Sequence, residues 1–159
     1  MRIAVVSDTH GKTKKFIDTV LNLKDIDLII HLGDYVEDGL EIEKRTGIET
    51  KIVKGNGDFF YPGFKEDEIL EIKGKRIFLT HGHKYNVRYG VDNLLYRGEE
   101  LQADIILFGH THVSTFVKES GIIVMNPGSP TNPRDFNRRK TFGIMELGEE
   151  VRIKFVEID

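Results

Sequence analysis

Short apolar runs rich in isoleucine and valine recur along the chain, and each stops at glycine or polar residues. They cover residues 3–6, 27–31, 50–54, 76–80 and 104–108. Runs of this length and content predict buried parallel or mixed strands. Between the first two, Phe16, Ile17, Val20, Leu21 and Leu23 recur at helical spacing opposite Lys14, Lys15, Asp18 and Asn22, which predicts an amphipathic helix. A weaker helix is expected over 39–45, with Gly47 placed to end it. A third is expected over 91–101, carrying Val91, Leu94, Leu95 and Leu101 on one stripe.

The pattern changes in the second half. Residues 69–72 and 77–79 flank Lys73-Gly74-Lys75 and read as a hairpin. The runs 115–118 and 122–125 flank the tight reversal Glu119-Ser120-Gly121, and 142–147 and 151–155 form a closing hairpin with apolar and polar positions alternating. The βαβ units therefore lead and antiparallel pairs follow. Two mixed sheets packed together, with helices outside, satisfy both halves. Residues 126–140 are the longest stretch without periodicity, and loops of that length tend to be functional.

A length of 159 residues fits one domain, 1–159. The formal net charge of −3 provides no global basic field, so nucleic acid is not an expected partner. The absence of cysteine excludes a disulfide framework and a thiolate metal site. No apolar stretch approaches the roughly 18 residues of a membrane span, and the first strand starts too early for a secretory leader. A soluble cytoplasmic protein is expected, with homo-oligomerisation left open.

The candidate chemistry sits just after the strands: Asp8-Thr9-His10, Gly33-Asp34, Gly55-Asn56-Gly57-Asp58, His81-Gly82-His83 and Gly109-His110-Thr111-His112. The carboxyl ends of strands in an open α/β sheet line one crevice and bring such groups together. Extended backbone through Asp8-Thr9-His10 and His110-Thr111-His112 would point residues i and i+2 the same way. Glycines 11, 33, 55, 57, 82 and 109 would let the chain turn beside the site. Singly, each piece has a bland reading: Gly-Asp and Asn-Gly are common turns. Jointly they form a ligand inventory for two metal ions and point to phosphate-ester hydrolysis.

The series Asp8-x-His10, Gly33-Asp34, Gly55-Asn56, His81 and Gly109-His110-x-His112 resembles the calcineurin-like metallophosphoesterases. The short chain, Gly55-Asn56-Gly57-Asp58 and Asn126-Pro127-Gly128-Ser129 resemble the small YfcE-type phosphodiesterase branch. The resemblance implies the metallo-dependent phosphatase fold, an α/β four-layer α/β/β/α sandwich. It places Asp8, His10 and His112 on one divalent ion and Asn56, His81 and His110 on another, with Asp34 bridging. Oxygen and nitrogen ligands without sulfur suit Mn²⁺, Fe²⁺, Zn²⁺ or Ni²⁺, and the family favours Mn²⁺. The implied reaction is attack of metal-activated hydroxide on a small phosphodiester, a nucleotide among the candidates, with Asp34, Asn56 and His81 acting through the metals.

Many relatives carry a histidine after the asparagine, where this chain has Gly57. His83 is the candidate replacement as proton donor, against a structural hydrogen bond. Asp58 is expected to sit behind the ligands and orient them, and His31, inside an apolar run, to be a core histidine or to sit behind the ligands as well. Arg134, Arg138 and Arg139 offer phosphate contacts or a solvated basic surface. Phe59, Phe60 and Tyr61 offer base stacking, a dimer patch or core packing. The competing functions are a noncatalytic protein-binding scaffold, like the retromer subunit of this fold, and a phosphomonoesterase.

Overall fold

The computed structural model describes residues Met1–Asp159. The first sheet contains β1 (Arg2–Val6), β2 (Leu28–His31), β3 (Thr50–Ile52), β9 (Thr141–Leu147) and β10 (Val151–Glu157), in the order β10-β9-β1-β2-β3. The second contains β4 (Asp67–Ile72), β5 (Lys75–Thr80), β6 (Ile105–Leu107), β7 (Ser114–Glu119) and β8 (Ile122–Pro127), in the order β4-β5-β6-β8-β7. Each sheet has three neighbouring parallel strands, β1, β2 and β3 in one and β5, β6 and β8 in the other. The hairpin partners β9, β10, β4 and β7 add antiparallel edges. Both sheets are mixed, as the change of pattern halfway along the chain implies.

Period-two alternation decides the layering. Ile3 and Val5 of β1, Ile77 and Leu79 of β5, and Ile105 and Leu107 of β6 share the core between the sheets. Their neighbours Ala4 and Val6 face the other way, onto Phe16, Ile17 and Val20 of α1 (Lys14–Leu23) and Ile42 of α2 (Val36–Thr46). Phe78 and Ile106 face Leu94 and Leu95 of α3 (Asp92–Glu100). The result is the four-layer α/β/β/α sandwich that the resemblance implies. No helix is long and apolar enough to cross a membrane.

Several element boundaries differ from the pattern-based expectation. Helix α2 begins at Val36, three residues before the expected start at 39, because Val36 is buried and Asp58 caps its first amide. Its end at Gly47 is as expected: the left-handed Gly47 returns its N–H to Glu43 O at 2.9 Å. Strand β8 runs on through Asn126-Pro127, paired with Thr115 and Ser114, so the irregular stretch starts two residues later than expected. Two single-turn 3₁₀ helices, His83–Tyr85 and Val87–Tyr89, occupy a segment in which no element was expected. Such turns lack the periodicity that a sequence pattern can display.

Replacing Leu107 by alanine removes a fully buried side chain from between the sheets. The expected cost is about 2–5 kcal/mol, read as a lower urea midpoint at unchanged denaturant slope.

Candidate metal centre

The parallel strands of both sheets end on one side, and the expected ligand residues follow them there. Asp8 follows β1 and Asp34 follows β2. His81 follows β5, and His110 and His112 follow β6. The local backbone is not the extended one expected. Asp8, His10, Asp34, His110 and His112 all have positive φ, between 50° and 70°. Left-handed kinks, rather than strand alternation, turn these side chains inward. Aspartate and histidine visit this region more readily than most residues, at a strain of about 1 kcal/mol or more each. Gly55 and Gly109 are not among the residues with positive φ. They are required for close approach: a Cβ on Gly55 would overlap the Asp34 carboxylate, and one on Gly109 would overlap Ser7.

Two groups of potential ligand atoms converge, Asp8, His10 and His112 in one and Asp8, Asp34 and His81 in the other. The His10 and His112 Nε2 atoms are 3.3 Å apart. Asp8 Oδ1 lies 3.3 Å from His112 Nε2 and 3.9 Å from His81 Nε2, and Asp34 Oδ1 lies 3.6 Å from His81 Nε2. His110 joins from the side, its Nδ1 3.2 Å from His81 Nε2. The residue common to both groups is Asp8, where the resemblance assigns the bridging place to Asp34. The Gly57 N–H, 3.0 Å from Asp34 Oδ1, holds that carboxylate on the His81 side. Asn56 is exposed on its turn, and its neighbours Gly55 and Gly57 make the contacts with Asp34.

The chemistry of these atoms fits cations. Asp8 Oδ2 accepts from Ser7 Oγ and the His110 N–H, whereas Oδ1 is buried without a hydrogen-bond partner. The His112 Nδ1 faces the Asn132 carbonyl at 2.8 Å and the His81 Nδ1 faces the Leu32 carbonyl at 2.7 Å. A carbonyl only accepts, so each ring keeps a proton on Nδ1 and, in its neutral form, turns an Nε2 lone pair toward the Asp8 carboxylate. Lone pairs facing a carboxylate at this range repel unless positive charge lies among them. Burial would raise the Asp8 pKa. Where the rings carry a proton in place of a cation, the hydrogen bond with His112, the charges of His81 and His112, and the Ser7 hydroxyl outweigh it and bring the pKa to about 2, so the group stays anionic. For His110, burial first, then His81 and Arg88, lowers the pKa to about 4, leaving a neutral ring.

A layer of hydrogen bonds holds the loops. Asp58 is buried. Its Oδ1 accepts from the Tyr35 and Val36 amides at 2.8 and 3.0 Å, and its Oδ2 accepts from the Gly55 amide at 2.8 Å. It thereby ties the Asp34 and Asn56 loops together and holds Tyr35, a bulky residue at φ 74°, in the left-handed region. His31 lies 3.0 Å from Thr9 Oγ1 and accepts from the Gly33 amide at 3.3 Å. Asp38, a residue with no sequence signal beyond its place in a helix, accepts from Thr9 Oγ1 and the Gly11 amide at 2.6 and 2.7 Å. Ser129 Oγ donates to Asp8 O, and Asn126 Nδ2 donates to Gly109 O and Thr111 Oγ1. The Asn126-to-Ser129 segment is thus a brace under two ligand loops.

The remaining candidates divide. His83 is half-buried, with its ring 5.6 Å from that of His81 and its Nδ1 without a partner; the structural hydrogen bond weighed against its acid role does not form. Arg134 gives its amide to His112 O, and its charge helps lower the His10 pKa after burial and His112. Arg138 is exposed, and Arg139 lines a separate depression with Asp135, Phe155 and Glu157. Phe59 and Phe60 are 81% and 91% exposed, which removes core packing as their role. Beside the centre, His10, Asp34, Tyr35, Glu37, Gly57 and Asp58 line an open depression of about 380 Å³.

Fold and site together point to the metallophosphoesterase family. The family model of the calcineurin-like phosphoesterase superfamily domain matches residues 1–150, and the chain belongs to that family. It is 35% identical over 151 residues to the probable metallophosphoesterase YsnB of Bacillus subtilis, covering 92% of this chain and 85% of YsnB. It is 35% identical over 161 residues to the phosphodiesterase YfcE of Escherichia coli, covering 86% and 83%. A Streptococcus pneumoniae predicted phosphoesterase superposes with a TM-score of 0.84 at 29% identity, covering 98% of this chain and 88% of that one. Zinc-bound Vps29 of Entamoeba histolytica shares the fold, with a TM-score of 0.81 at 24% identity and 99% of each chain covered.

His31 generates a pH prediction. Burial dominates its surroundings and lowers its pKa from 6.5 to about 4. The unfolded chain therefore binds the extra proton between those values, so stability is full above pH 6.5 and falls as pH drops toward 4. The metal-free protein should lose about 3 kcal/mol from this group. Chemical denaturation across that window should show His31→Gln losing less than the parent chain.

Proposed function

We propose that this protein is a metal-dependent phosphodiesterase that hydrolyses a small phosphodiester at a dinuclear centre, with Mn²⁺ the favoured ion. The observation that carries the reading is Asp8 Oδ1, buried without a partner where two groups of ligand atoms meet. Asp8, His10 and His112 would hold one ion, and Asp34, His81 and His110 the other with Asn56 on the adjoining turn, Asp8 lying within reach of both. Bound there, two divalent cations supply Lewis acidity and lower the pKa of an attacking water to near neutrality. Relatives named phosphodiesterase support the diester as substrate. The open depression beside His10, Tyr35 and Gly57 suits a small molecule.

The chain's own groups then have distinct tasks. The carbonyls of Leu32 and Asn132 hold His81 and His112 in the tautomer that presents Nε2. Asp58 and Asp38 fix the ligand loops, so the donor atoms need not reorganise as charge develops on the phosphoryl oxygens. Gly57 leaves the place of a relative's histidine without a proton donor. His83, half-buried and neutral near pH 7, would give an N–H to the departing oxygen; burial first, then His81, lowers its pKa.

Three kinetic outcomes test the reading. A chromogenic diester should turn over faster than the corresponding monoester, stop with chelator and recover with Mn²⁺; no turnover with any transition metal would favour the scaffold function. Asp58→Asn should lose about 10–100-fold in metal affinity or activity. His83→Ala should lose about 100-fold on alkyl esters and little on nitrophenyl esters, whose leaving group needs no proton. Equal losses on both substrates would remove the donor role.

A further inference from the structure

Hydrogen-bond direction separates His110 from the other imidazoles of the centre. His81 and His112 each face a carbonyl through Nδ1, and so present an Nε2 lone pair inward. His110 Nε2 instead receives the Arg88 Nε–H at 3.3 Å. A guanidinium can only donate, so the neutral His110 ring carries its proton on Nδ1. That proton points at His81 Nε2, 3.2 Å away. His81 Nε2 must accept it, because the Leu32 carbonyl holds the His81 proton on the other nitrogen. From Arg88 through His110 and His81 to Leu32 O, every donor therefore runs one way, and both ends of the chain have a single choice. The two lone pairs that a cation on this side would need are thereby taken.

We propose that Arg88 is a phosphate-binding residue whose freedom is set by occupancy of the metal position on the His81 and His110 side. The inference rests on the dinuclear reading above and deepens it. A cation held by His110 Nδ1 requires a lone pair at that atom, so the ring proton moves to Nε2. There it meets the Arg88 Nε–H, and two donors 3.3 Å apart repel. The contact opens. Arg88 is exposed, and the bond to His110 is the one side-chain hydrogen bond it makes. Its neighbour Val87 is packed in the core beneath α3, so the 3₁₀ turn stays and the guanidinium swings. The freed fork of N–H donors matches two oxygens of a phosphoryl group bound beside the metals. Arg88 thus occupies the metal position's ligand while the centre is empty, and becomes available to an anion once it is filled.

The test uses the full chain as Arg88→Met and Arg88→Lys, with calorimetric titration of Mn²⁺ and then of inorganic phosphate into the Mn²⁺-loaded protein. Arg88→Met should bind the second Mn²⁺ equivalent about tenfold more tightly, since no hydrogen bond opposes it, and phosphate about tenfold more weakly. A merely structural role would weaken both. Nitrogen NMR of the metal-free protein should find His110 protonated at Nδ1 in the parent chain and shifted toward the Nε2 tautomer in Arg88→Met. Arg88→Lys, which keeps the charge without the fork, should recover part of the phosphate affinity, and it carries the test if Arg88→Met fails to fold. Unchanged phosphate affinity, or second-site Mn²⁺ affinity that does not rise, overturns the proposal. Both shifts appearing without turnover of any ester would sink the phosphodiesterase reading and leave the role of Arg88 standing.

Discussion

Everything at this centre follows from packing acceptor atoms together against their mutual repulsion. The Asp8 carboxylate faces imidazole rings that are anchored through Nδ1 to carbonyls on the far side. In water such an assembly would disperse. Here the ligand loops are anchored to strands of two different sheets, whose shared core of isoleucine, leucine, valine and methionine contains none of the site's side chains. The core therefore supplies the free energy that holds the site in an unfavourable arrangement, and positive charge relieves that arrangement.

Local strain is distributed in the same way. Five ligand positions and Tyr35 adopt left-handed backbone, at about 1 kcal/mol or more each. The bonds from Asp58, Asp38, Ser129 and Asn126 to the same loops offset it. Three of these four residues come from elements that bear no ligand of their own: a helix, the end of β8 and the turn after it. That is why removing a carboxylate that touches no ion should still affect metal binding. The imidazoles differ in readiness: those held by carbonyls are set to bind an ion, whereas His110, held by a cation, must first change tautomer.

Much of this was legible in the sequence because the signals are local. Short Ile- and Val-rich runs ending in Gly-Asp, Gly-Asn or Gly-His motifs mark both the strands and the positions of the ligands along them. The hairpin turns Lys73-Gly74-Lys75 and Gly148-Glu149 mark the antiparallel edges. The reading of extended backbone through Asp8-Thr9-His10 failed because strand periodicity carries no information past the last ladder bond. Asp38 and Arg88 passed unnoticed because a helical aspartate and a surface arginine look ordinary; their roles exist only through partners remote in sequence and on other elements. The core option for Phe59 and Phe60 fell for a similar reason, since composition cannot say which aromatics find a sheet to cover.

Residue types and their spacing alone determined the family, the two mixed sheets and which side chains gather at the strand ends, because burial periodicity and motif order are properties of the chain itself. The tertiary structure alone decided which oxygen is left without a partner, which ring nitrogen carries each proton, and that Asp8 rather than Asp34 stands in both ligand groups. Those are questions of direction, and a hydrogen bond acquires a direction only when donor and acceptor from remote segments meet in space.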